Sequence, residues 1–148
     1  MVREAIARVG EHVAVNAWVV MPEHVHLVLR RRGSVPVASV LRTIESAVAQ
    51  RVIARGEDLR APILHQITRP DALRRFWLKG GGFDRNVRDD AELSRALRYM
   101  LRNPVERGLA MVREEGVWSS VRWWDGVSEG EVRCEYPARG WETWKGYK

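Results

Sequence analysis

The sequence predicts an α+β domain: an antiparallel sheet of about three to five strands with helices on one face. Residues 14–20 (AVNAWVV) are almost wholly apolar and β-branched, as suits a strand buried on both faces. Residues 24–30 (HVHLVLR) put side chains on alternate sides, so His24, His26 and Val28 face one way and Val25, Leu27 and Leu29 the other. Residues 36–55 and 90–103 repeat apolar side chains at i, i+3, i+4, the period of a helix that buries one side.

Taken in order, VREAIARVG (2–10) reads as the end of a short helix stopped by Gly10. Strands follow at 13–20 and 24–30. Met21-Pro22-Glu23 separates them, because Pro22 has no N–H to give a ladder. The second strand is expected at the centre of the sheet. RRRGS (30–34) is a basic turn, and Ser34 can cap the next helix with Pro36 in its first turn. That helix carries Val37, Val40, Leu41, Ile44, Val48 and Val52 on one face and is expected to stop at Gly56. Residues 61–68 read as a short strand, and residues 76–78 as another entering Gly80-Gly81-Gly82. Three glycines mark a turn or hinge, and no Gly-Lys-Ser/Thr follows to make a phosphate loop. The last helix opens at Asp89 or Asp90, with Glu92 in its first turn and a stripe of Leu93, Ala96, Leu97, Met100 and Leu101. Pro104 disfavours helix at Asn103, so the helix is expected to end there.

The chain has 148 residues, read as one domain (1–148) with residues 125–148 as a tail. Lys and Arg number 25 against 19 Asp and Glu, a net charge of +6 that suits a phosphate-backbone partner. Cys134 is the single cysteine, which excludes an internal disulfide and a cysteine-based zinc site. No apolar run approaches the ~18 residues of a membrane span, and no signal-peptide pattern opens the chain, so a cytoplasmic protein is expected. In the tail, Trp123, Trp124, Trp141 and Trp144 interleave with Arg122, Arg133, Arg139 and Lys145. Aromatics beside cations suit base stacking and phosphate pairing, and they equally suit capping of a core.

Two patterns carry chemistry. His24 and His26 share a strand face beside Glu23, and two such imidazoles can grip one divalent metal ion. The same pair is compatible with a partly exposed polar face. Tyr99 and Asn103 lie one turn apart on a flank of the last helix's apolar stripe, a placement that a plain boundary tyrosine would also take. His12 and His65 have no partner in sequence.

Together these patterns resemble the single-tyrosine HUH transposases, above all the REP-associated tyrosine transposases. The carriers are His24-Val25-His26 and YMLRNPVERGL (99–109), which is similar to the family's Tyr-hydrophobic-x-x-Asn-Pro-Val…Gly-Leu. FWLKGGGFDRNVRDDAEL (76–93) and VWSSVRWW (117–124) are similar to the segments before and after the family's tyrosine helix. The likeness runs from about residue 14 to residue 124.

The resemblance implies a ferredoxin-like fold and an HUH endonuclease of DNA transposition and recombination, or of the processing of repeated palindromes. Such an enzyme cleaves and rejoins single-stranded DNA through a 5′-phosphotyrosine. Tyr99 would be its nucleophile, and His24, His26 and Asn103 would hold Mg²⁺ or Mn²⁺. The implied partner is single-stranded or hairpin DNA, with no membrane and with monomer or homodimer left open. Arg30, Arg31, Arg32, Arg42, Arg51 and Lys79 are candidates for backbone contacts, as are Arg55, Arg74 and Arg75. An unperturbed phenol is ionised in only about one molecule in a thousand at pH 7, which costs about 4 kcal/mol and calls for help from a metal. The family's opening strand is missing before residue 14, so an unpaired sheet edge beside the site is expected. Two further readings stay open: an inactive or truncated DNA-binding descendant, and a metal-dependent nuclease using water, which would need the histidines but not Tyr99.

Overall fold

The computed structural model describes residues 1–80, 82–112, 115, 118–126 and 132–135. Helix α1 (Val2–Ala7) leads through a tight turn into strand β1 (Val13–Val20), which pairs antiparallel with β2 (Val25–Arg31). Helices α2 (Val37–Asp58), α3 (Ile63–Ile67), α4 (Asp90–Glu106) and α5 (Val121–Trp124) follow. The class is therefore α+β. The sheet has two strands among the described residues, fewer than predicted, and so stops short of a ferredoxin-like arrangement.

The apolar run of β1 is buried along almost its whole length, on both faces. Its register against β2 slips between Val15 and Ala17, where Asn16 is the extra residue of a β-bulge. Asn16 is buried, and its amide donates to the Glu135 carbonyl at 2.8 Å. The core joins β1 to Ile6 and Val9, to Val40, Ile44 and Val48 of α2, and to Leu97, Met100 and Leu101 of α4.

The predicted unpaired edge is covered. On the side of β1 away from β2, the Val20 N–H donates to the Trp118 carbonyl (2.8 Å) and the Ser120 N–H donates back to the Trp18 carbonyl (2.8 Å). Farther along, the Glu135 N–H donates to the Val15 carbonyl (2.8 Å). Segments far downstream thus satisfy the backbone groups that an absent neighbour would have left open. They also make β1, not β2, the inner strand, which corrects the expectation for residues 24–30.

Other boundaries differ from the sequence reading for local reasons. Residues 61–68 hold helix α3 rather than a strand, with Pro62 at its N-cap, where a missing N–H is harmless; Thr68 alone makes an isolated bridge, to Arg74. Residues 76–78 form no strand: the Trp77 indole donates to the Glu45 carbonyl of α2 (2.8 Å), and Phe76 packs edge-on to Trp77. Gly56 does not stop α2. A β-carbon there would stand 2.8 Å from Leu64 Cδ2, so the glycine admits α3 against the helix. Pro36, not Ser34, takes the N-cap position of α2, with no side-chain cap. Helix α4 opens at Asp89, whose carboxylate accepts from the Glu92 N–H at 2.7 Å, and it continues through Pro104 to Glu106. Of the tail aromatics, Trp124 is buried and Trp123 packs on the core, which fits core capping; Trp141, Trp144, Arg139 and Lys145 lie outside the described residues.

No helix among the described residues is long and apolar enough to cross a membrane.

Candidate active site

His24 closes the β1–β2 hairpin: its carbonyl accepts from the Met21 N–H at 2.8 Å, and β2 starts at the next residue. Strand alternation then sends the imidazoles of His24 and His26 to one side. Their Nε2 atoms approach to 2.9 Å, with ring centroids 4.6 Å apart and planes near perpendicular at 88°. Both rings are half-buried. Burial, and next the neighbouring His24, hold the His26 pKa below its ordinary value, which keeps a neutral nitrogen lone pair available.

Helix α4 brings Tyr99 of the second motif to the same place, while the side-chain hydrogen bond of Asn103 runs back to its own helix. The His26 and Tyr99 rings meet edge to face, with centroids 5.9 Å apart and planes at 82°. Tyr99 keeps 61% of its surface exposed, so its phenol faces solvent. One turn on, Asn103 is only 7% exposed, and its Nδ2 donates to the Tyr99 carbonyl at 3.3 Å. That bond fixes the amide's sense and leaves Oδ1, the better metal donor, with no protein partner among the described residues.

The donor set can be tested against a divalent ion. The His24 and His26 Nε2 atoms share a hydrogen bond at 2.9 Å, a spacing that also matches two cis ligands about 2.1 Å from an octahedral ion, which lie about 3 Å apart. Glu23 is placed otherwise. Its Oε1 stands 3.8 Å from His24 Nδ1, on the far side of the ring from Nε2, and it pairs with Arg107. The Arg107 hydrogen bond is the main reason the Glu23 carboxyl titrates below its ordinary range. Glu23 can therefore orient His24, as carboxylates behind metal-bound imidazoles do, rather than ligate. No group of three His, Cys, Asp or Glu side chains gathers among the described residues. Two imidazoles and an amide oxygen would have to serve, with the rest of the ion's shell left to phosphate and water.

The structure divides the basic residues named from sequence. Arg30 and Arg32 both pair with Glu135, and Arg51 pairs with Glu4. Arg74 pairs with Glu57, and Arg42 reaches Ser39 at 3.3 Å. Arg31, Arg55, Arg75 and Lys79 are exposed, without an ion-pair partner among the described residues. Two residues that the sequence reading passed over stand closer to the chemistry. Arg95 and Arg102 are exposed on α4 at four residues before and three after Tyr99, hence on the phenol's own helix face, and Arg102 also pairs with Glu106 at 3.3 Å. The signal was present, since i−4 and i+3 spacing about a candidate nucleophile can be read directly.

Comparison with protein-family models, with curated proteins and with solved structures finds no match to the chain.

Proposed function

We propose that this chain is a single-tyrosine DNA strand transferase that cleaves and rejoins single-stranded DNA, as a mobile-element transposase or as a processor of repeated palindromes. One observation carries the reading. Two motifs remote in sequence meet in space, with the His26 ring against Tyr99 and the two Nε2 atoms 2.9 Å apart.

In the reaction, Tyr99 Oη attacks phosphorus. The P–O bond to tyrosine forms as the P–O3′ bond breaks, and the phenolic proton passes through solvent to the departing 3′-oxygen. The 5′-phosphotyrosine conserves the bond energy, so attack by a different 3′-hydroxyl reverses the step and joins strands without ATP. His24, His26 and Asn103 Oδ1 are the groups that would hold Mg²⁺ or Mn²⁺. The ion would polarise the scissile phosphate and offset the charge gathering there. Exposure of Tyr99 at the domain surface suits a flexible single strand or a hairpin end, and Arg95 and Arg102 are placed to meet its backbone. Action on DNA fits a cytoplasmic protein.

Parallel cleavage assays of two variants test the reading, with Mn²⁺ and single-stranded hairpin DNA from the regions flanking the gene. Tyr99→Phe and His26→Ala should both abolish cleavage. Cleavage that survives Tyr99→Phe and is lost in His26→Ala would instead mark a nuclease using water.

A further inference from the structure

We propose that Glu23 and Arg107 are positioning residues: their ion pair ties the end of the tyrosine helix to the hairpin that carries the histidines and holds Tyr99 in register with His26. The kinetic consequence rests on the strand-transfer reading, whereas the structural one does not.

The pair spans the site at its solvent-exposed mouth. Glu23 precedes His24 and stands 3.8 Å from its Nδ1. Arg107 caps α4, its N–H donating to the Asn103 carbonyl at 2.9 Å, and its guanidinium reaches the Glu23 carboxylate. Each partner thus abuts one half of the proposed centre. Apart from this pair, each half is held here by its own backbone bonds: the Met21 N–H to the His24 carbonyl in the turn and the Arg107 N–H to the Asn103 carbonyl at the helix end. The turn residues Pro22 and Glu23 are exposed, and α4 lacks the Pro104 N–H, so its last turn is short of one backbone bond. Met100, Leu101, Asn103 and Pro104 are buried, and beyond them the helix end is exposed from Glu106 on. A link between the exposed end of the helix and the turn is where a tether acts on the gap between Tyr99 and His26. An exposed pair of this kind is a weak tether, so its removal should change the occupancy of the aligned geometry by about two- to fivefold, without unfolding the chain.

The test uses the whole chain. In metal-free, DNA-free protein, the nuclear Overhauser effect between the His26 and Tyr99 rings is compared among wild type, Arg107→Glu, Glu23→Arg and the double swap. Binding of an oligo-dT strand and, where cleavage is measured, kcat are followed in parallel. The expected result is a weaker ring-to-ring effect in each single reversal, recovered in the swap, with kcat following the effect about two- to fivefold and the DNA Kd in the swap equal to wild type. An unchanged ring-to-ring effect in Arg107→Glu would overturn the proposal, whatever the activity. So would a fall in DNA affinity that the swap fails to restore, since Arg107 would then be a phosphate contact. Failure of the strand-transfer reading has a different signature: no covalent adduct in any variant, with the ring contact still following the charge pair.

Discussion

The rings of His26 and Tyr99 meet edge to face across a centroid distance of 5.9 Å, joining the start of β2 to the middle of α4, which the chain separates by α2, α3 and a long connection. The contact is half open to water on the tyrosine side and half buried on the histidine side. On the proposed function, a nucleophile that admits a DNA strand and a ligand that stays neutral would need those opposite environments.

The pH response follows from the buried side. The folded-state pKa of His26 lies below the ordinary 6.5, so between the two values the unfolded chain binds the extra proton. Stability contributed by neutral His26 is therefore complete above about pH 6.5 and is lost as pH falls through the lower, folded value. Chemical denaturation of metal-free protein should show this decline on acidification, and His26→Asn should flatten it. An equal decline in both proteins would assign it to other groups.

Metal binding should depend on both histidines and on the amide. Titration calorimetry with Mn²⁺ is expected to show one site, weakened more than about tenfold by His24→Ala or His26→Ala. Asn103→Ala should weaken it less, while Asn103→Asp should preserve or strengthen it. Wild-type affinity in all three alanine variants would remove the site from this place.

Phosphate contacts are countable by salt. On oligo-dT the log–log slope of affinity against NaCl should shrink by about 0.7 for each phosphate that is no longer neutralised, so Arg95→Gln should lower it. Arg51→Gln should leave it unchanged, because that guanidinium is engaged by Glu4. The opposite pattern would move the DNA path to the α1–α2 side.

The cap of α4 is a stability element separate from the chemistry. Asp89→Ala should cost about 1 kcal/mol in urea unfolding at pH 7, with Asp89→Asn nearly neutral, since the Glu92 N–H keeps an acceptor.

The elements that position the site were readable because they depend on local rules. The apolar period marked β1, the His-x-His alternation set both imidazoles on one side, and the Asp89 cap with its stripe marked α4. Contacts made over long sequence distance were not readable. Nothing local says that Trp118, Ser120 and Glu135 will close the edge of β1, or that Glu135 will occupy Arg30 and Arg32. Gly56 looked like a stop because glycine favours helix ends, yet its missing β-carbon serves Leu64. Pro104 looked like a terminus, but a proline removes only one helical bond, and the helix runs on to Glu106.

The most direct test is whether Tyr99 becomes covalently joined to DNA. A hairpin strand labelled on the 3′ side of the cut is incubated with the whole chain and Mn²⁺, digested with protease and nuclease, and read by mass spectrometry. The expected result is a peptide carrying a nucleotide 5′-phosphate on Tyr99, absent in Tyr99→Phe and in chelator. Cleaved DNA with free 5′-phosphate and an unmodified Tyr99 peptide would contradict the strand-transfer account, and so would an adduct on any other residue.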